Sequence, residues 1–406
     1  MAITKVTTPV ADFDKSTSLP GLKIPSGDNS NQPAGAAAEQ GMIRNDTEEI
    51  VDSSRSAIAH YNGTAWQYFA ATESPDPIVP LENFNTVLWD GDGGSSRNIT
   101  QVGFDPDFVW IKKRQNDTKS HRLFDSVRTA GNVIYSDLTN QQASPSNELN
   151  AFITDGFNIG NASSVNDGAS GDTYVAWCWK AGGAAVPNTN GDVQSNVSAN
   201  VAGGFSIVKG TGSGSGVQSV GHGLSSAPEF VMVKNINATD SWFCLVPGLT
   251  SSSYYMRLNT TSSKINNSGY PTIFADSTTV SVRQNSMGPW GDLIAYCWHS
   301  VAGYSKISSY VGNGNTTGVL QELGFEPAFL MFKCVTQSGN WIMIDNKRAT
   351  SNPRTPHLRA NTTGQDDYGA NEYVDFTSTG FQPKGVSDYN NNSLGQTYIY
   401  MAFATS

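Results

Sequence analysis

The residues able to do chemistry are few. Five histidines are present (His60, His121, His222, His299 and His357), and none lies in a nucleophile elbow or an H-E-x-x-H helix pattern. Gly221-His222-Gly223 is the most suggestive, but flanking glycines that permit positive φ describe a tight turn better than a catalytic base. Asp90-Gly91-Asp92-Gly93-Gly94 opens like a calcium loop, yet the twelfth position, where an acidic ligand is required, is Gln101, so a plain turn is expected. Four cysteines (Cys178, Cys244, Cys297 and Cys334) show no C-x-x-C spacing and read as buried free thiols, which excludes a zinc knuckle or a redox pair. A carboxylate pair assembled from distant strands would leave no local spacing, and none is singled out. No catalytic residue, metal site or cofactor is assigned.

Two other features repeat. Asp125 and Arg128 recur as Asp345 and Arg348, three residues apart in both places, which suits an ion pair fastening a turn better than a ligand site. Among the aromatics, Trp110, Trp177, Trp179, Trp298 and Trp341 fall in recurring landmarks and are expected in the core. Trp242, Tyr254, Tyr255 and Trp290 fall outside them and are the candidates for a surface that touches sugar or protein.

The landmarks themselves define the elements. Gly103-Phe104-Asp105-Pro106-Asp107-Phe108-Val109-Trp110-Ile111-Lys112 returns as Gly223 to Lys234 and as Gly324 to Lys333: a glycine, an apolar residue, a proline, then an apolar run closed by lysine. Each copy is followed by an aromatic stretch, Tyr174 to Lys180, Leu293 to His299 and Tyr398 to Ala404. Two ordered landmarks occurring three times mark a repeated unit. Runs of four to eight β-branched and aromatic residues between turn residues are everywhere, and no long 3.6-residue apolar period appears. The fold class expected is therefore all-β, with tandem β-sandwich, jelly-roll-like repeats of about 100 to 120 residues.

Composition narrows the function classes. The 406 residues are 38% hydrophobic, enough for real cores, but only 15% charged against a usual figure of about 25%. A net charge of −10 argues against nucleic acid as a partner. The single tight basic cluster, Lys112-Lys113-Arg114, reads as a solvated strand edge. No apolar run approaches about 18 residues, so no membrane helix is expected, and Met1 to Lys5 does not open a signal peptide.

In chain order, residues 1–40 read as an extended segment that a partner or a neighbouring copy would order, and 41–70 as a small β-hairpin module with a turn at Asn62-Gly63. Residues 71–83 form a proline-bearing linker, 84–182 the first large repeat, 183–200 a second linker, 201–302 the second repeat and 303–406 the third.

Two resemblances rest on these residues. Leu22 to Gly27, Gly41 to Asn45 and Tyr61 to Trp66, in that order, resemble a small module of bacteriophage tail-fibre and other virion-surface proteins, with an acidic, serine-rich departure between Thr47 and Ala57. Residues 84–406, through the two landmarks and Gly204 to Lys209, resemble a domain of uncharacterised function found in tandem in virion proteins of phages of marine bacteria, cyanophages included. The resemblance implies a non-enzymatic virion protein, made in the host cytoplasm. A tail fibre docked through its N-terminal segment on other virion proteins comes first, homotrimeric and contacting a host-surface glycan or protein. A capsid decoration or head-fibre protein and a glycan-binding or glycan-cleaving tail spike are the alternatives. That family offers no catalytic residues to carry over.

Overall fold

The computed structural model describes four strands within residues 26–69, and residues 78–404 apart from 116–117, 170, 213–215, 271, 284–291, 370–372 and 386–390. The chain divides into two compact units, Met1–Asp76 and Pro77–Ser406. In the first, Ser26–Gly27, Ile43–Asp46, Ala57–Tyr61 and Trp66–Phe69 form one sheet in that order. The first pair is parallel and the others antiparallel, with Tyr61 opposite Trp66, while the Asn62-Gly63 turn expected from the sequence lies outside the described residues.

The second unit is all-β, and its sheets fall into three sets that we call lobes. In the first lobe Phe84–Asp90, Thr173–Trp179, Phe108–Lys113 and Arg122–Asp125 lie side by side, faced by a three-stranded sheet of Arg97–Ile99, Gly156–Ile159 and Leu149–Ile153. The third lobe repeats this with Ser305–Val311, Thr397–Ala404, Pro327–Cys334, Ile342–Asp345 and Leu358–Arg359, faced by Gln321–Glu322, Gly380–Lys384 and Tyr373–Thr377. The second lobe places Phe205–Thr211, Asp292–Trp298, Phe230–Asn235 and Phe243–Leu245 in the same order, faced by Val217–Gly221, Thr279–Arg283 and Ile273–Ala275.

One expectation fails here. Residues 183–200 are not a linker: Val186–Asn188 and Ser195–Asn200 add two antiparallel strands to the outer edge of the second lobe's larger sheet. The Ala/Gly/Asn/Ser composition masked a strand whose Ser195, Val197 and Ser198 are buried against that sheet.

Strand periodicity explains why the aromatic landmarks read as unbroken apolar runs. Along Thr173–Trp179, Tyr174, Ala176 and Cys178 fill the first lobe's own sandwich with Trp89 and Phe157. The alternate residues Val175, Trp177 and Trp179 point the other way, into a cluster shared by all three lobes. Ile294, Tyr296 and Trp298 enter it from the second lobe, and Ile399, Met401 and Phe403 from the third. A strand buried on both faces has no polar face to show. The three larger sheets thus enclose a central aromatic core, in which Phe108 stacks on Tyr296 at 4.3 Å and Trp179 meets Trp298 at 6.1 Å and Phe403 at 5.6 Å.

Candidate functional site

The ionisable residues that the sequence singled out gather where lobes meet. Asp125 ends a strand and accepts the backbone N–H of Arg128 at 2.7 Å and its Nε at 2.5 Å, while Nη2 donates to the Leu123 carbonyl at 2.9 Å. The third lobe closes the same loop with Asp345, Arg348 and the Met343 carbonyl, at 2.8, 2.6 and 3.0 Å. Both pairs are fully buried. Burial opposes each guanidinium's charge, but Asp125 and Asp345 outweigh it, so both arginines are held above their ordinary value. Strand register identifies the counterparts in the second lobe. Phe124, Leu245 and Ile344 each sit opposite the second residue of an equivalent apolar run (Val109, Val231 and Leu330), so Asp125 corresponds to Val246 and Arg128 to Leu249. Both join the central apolar core.

Each carboxylate also binds an aromatic of another lobe. The Tyr296 hydroxyl donates to Asp125 Oδ2 at 2.6 Å, and Trp177 Nε1 to Asp345 Oδ2 at 3.1 Å with the Arg348 guanidinium 5.3 Å from its ring. Trp177, Tyr296 and Met401 occupy one position of the repeat, so the cyclic order pairs Met401 with Val246, an apolar residue for an apolar residue.

A second set of equivalent residues also crosses the junctions. Trp242 Nε1 donates to the Tyr135 carbonyl at 2.7 Å and Trp341 Nε1 to the Arg257 carbonyl at 2.9 Å. At the third junction the residue is His121, whose Nε2 lies 3.1 Å from the Arg359 carbonyl. Trp110 Nε1 donates to His121 Nδ1 at 2.8 Å, which leaves the imidazole proton on Nε2 to complete the bond to Arg359. The three backbone N–H groups are held alike, by Asn259, Asn361 and Asp137.

The basic cluster is not a solvated edge. Lys112 and Lys113 are buried, as are Lys234 and Lys333, the closing lysines of the other two copies. Lys112 Nζ donates to the Thr363 carbonyl at 3.1 Å and Lys333 Nζ to the Thr261 carbonyl at 3.1 Å, again from lobe to lobe. Lys234 binds the carbonyls of Asn235 and Ala238. Burial brings Lys333 down to about 7 and Lys234 to about 8. Lys113 pairs with Asp172 at 2.8 Å, and Arg114 with Asp366 of the third lobe at 2.8 Å.

Of the four aromatics expected at a surface, Trp242 is fully buried and part of the central core. Its likeness to Trp341 was hidden because the second lobe lacks the Asp-x-x-Arg that would have aligned the two. Tyr255 is also buried, stacked on Phe243 at 5.0 Å, because it alternates inward where Tyr254 does not. Tyr254 is half-buried under Lys264 Nζ at 4.9 Å, and Trp290 lies outside the described residues. His222 is a buried turn residue whose Nδ1 accepts the Leu224 N–H, and Gly223 has φ +71°. Asp92 is engaged by Asn166 and Arg97, and all four cysteines are free and buried. Sequence reasoning missed the inter-lobe roles of His121, Tyr296 and Trp177; the shared position of the last two was visible, but the face it served was not.

Residues 79–406 match the family described as "Domain of unknown function (DUF7483)". No curated protein and no solved structure matches the chain.

Proposed function

The chain belongs to the family of domains of unknown function DUF7483, whose description assigns no role. From the two sequence resemblances we propose that it is a non-enzymatic structural protein of a bacteriophage particle, most simply a tail fibre component. One observation supports the structural part of the reading: Asp125 and Asp345, each held by its own arginine, also bind an aromatic of another lobe, and Lys112 and Lys333 reach carbonyls of another lobe, so these ionisable side chains are spent on holding lobes together. Such a module is built for rigidity. Its separate N-terminal unit suits attachment to other virion proteins, and the half-exposed Tyr254 remains a candidate contact for a host glycan or protein.

Imaging of the assembled particle tests this. The fibre reading expects the Pro77–Ser406 module to project from the tail, with Met1–Asp76 at the particle. The module fitted to the capsid lattice would replace it with the decoration reading, and absence from the particle would end both. Sedimentation tests the expected homotrimer, whose mass would be three times 43.4 kDa.

A further inference from the structure

Three lobes have three junctions, but the polypeptide crosses only two of them. The third lobe meets the first without a connecting chain, and this seam has its own chemistry. Across it Arg114 binds Asp366, Trp177 binds Asp345, the Asp366 N–H donates to the Arg114 carbonyl at 2.8 Å, and His121 reaches the Arg359 carbonyl. At the positions equivalent to His121 the other junctions use tryptophan, whose N–H does not titrate near neutral pH.

His121 is fully buried and sandwiched by function. Nδ1 must be bare to accept from Trp110, so a protonated imidazole, with hydrogens on both nitrogens, would set one donor against another. The groups around it give such a charge little welcome. Lys112 and Arg122 approach from its own lobe and Arg348 from across the seam, and Trp177 stacks at 6.5 Å. The carboxylate bonded to its residue, Asp137, is occupied by the His121 backbone N–H. We propose that the seam between the third and first lobes is an acid-operated latch, in which uptake of a proton by His121 releases the third lobe from the first while the other two junctions stay closed.

The sign follows from burial, which lowers the proton affinity of His121 in the closed form well below that of a free histidine, with Lys112 and the arginines adding to it. Below about pH 6.5 the opened seam binds a proton that the closed seam does not, so closure weakens by about tenfold per pH unit. Above that pH the effect vanishes.

Three backbone amides report the three junctions: Asp366 to Arg114, Asp240 to Thr139, and Gly339 to Thr261. Hydrogen exchange of the full chain at pH 7 and pH 5, expressed as protection relative to the free peptide rate, should show Asp366 losing about tenfold or more while Asp240 and Gly339 hold within about twofold. Equal loss at all three would overturn the proposal, as would no loss at Asp366. In His121→Gln, whose amide can donate to Arg359 and accept from Trp110 without titrating, Asp366 should keep its protection at both pH values. Persistence of the pH effect there would also overturn it. His222→Gln, altering the other buried histidine held low by burial, should leave the effect intact.

Discussion

The junction between the second and third lobes and the seam between the third and first solve one packing problem with opposite chemistry. At the first, where a short connection joins the second lobe's Asp292–Trp298 to the third lobe's Ser305–Val311, the position equivalent to Asp125 and Asp345 is Val246, Leu249 replaces the arginine, and Met401 stands where the others have Trp177 or Tyr296. At the seam, Asp345, Arg348, Asp366 and Arg114 form a chain of ion pairs completed by Trp177. Buried ion pairs add little net stability over apolar residues of similar size, but they tolerate only a complete set of partners. A covalent connection already fixes which surfaces meet at the first junction. At the seam no chain connection does so, and among the described residues the longest chain of ion pairs lies there, whereas the connected first–second junction keeps the single pair Asp125–Arg128.

The largest effect expected is from Asp345→Ala, which leaves Arg348 buried with half its partners and should cost about 3–5 kcal/mol in denaturant unfolding. A loss under about 1 kcal/mol would erase the contrast. Tyr296→Phe deletes only the hydroxyl bound to Asp125 and should cost about 1.5–3 kcal/mol. Converting the first lobe to the apolar solution, Asp125→Val with Arg128→Leu and Tyr296→Met together, should be nearly neutral, within about 1.5 kcal/mol, whereas Asp125→Val alone should be much worse. Equal costs for the single and triple variants would mean that the two chemistries are not interchangeable.

Another effect concerns pH. Lys333, at about 7, has less proton affinity folded than unfolded, so the unfolded chain binds more protons between pH 7 and about 10.5, and stability rises with pH across that window. Lys333→Met should flatten the rise in urea titrations taken at successive pH values. Smallest of all, Tyr254→Ala should leave stability within about 0.5 kcal/mol, because its ring is only half-buried, under the Lys264 ammonium at 4.9 Å.

Much of the architecture was legible because the repeat was. The lysine-closed apolar runs and the aromatic landmarks mark equivalent strands, and the turn-fastening role of Asp125/Arg128 and Asp345/Arg348 could be read from their spacing. What could not be read was the third dimension of the repeat. A strand apolar on both faces says that something covers its second face, not that two other lobes do, so Trp177 and Tyr296 looked like ordinary core. Trp242 was misplaced for a related reason: its lobe had exchanged the Asp-x-x-Arg marker for Val246 and Leu249. The basic cluster misled because charge in sequence suggests solvent, while the Lys112 amine, like those of Lys234 and Lys333, is met by backbone carbonyls.

The central claim is that charges and aromatics of different lobes are energetically one unit at the seam. A double-mutant cycle between Trp177→Phe and Asp345→Asn, read by denaturant unfolding, tests it most directly. Two residues 168 apart in sequence and 3.1 Å apart in space should couple by about 1 kcal/mol or more. Strict additivity of the two substitutions would contradict the account.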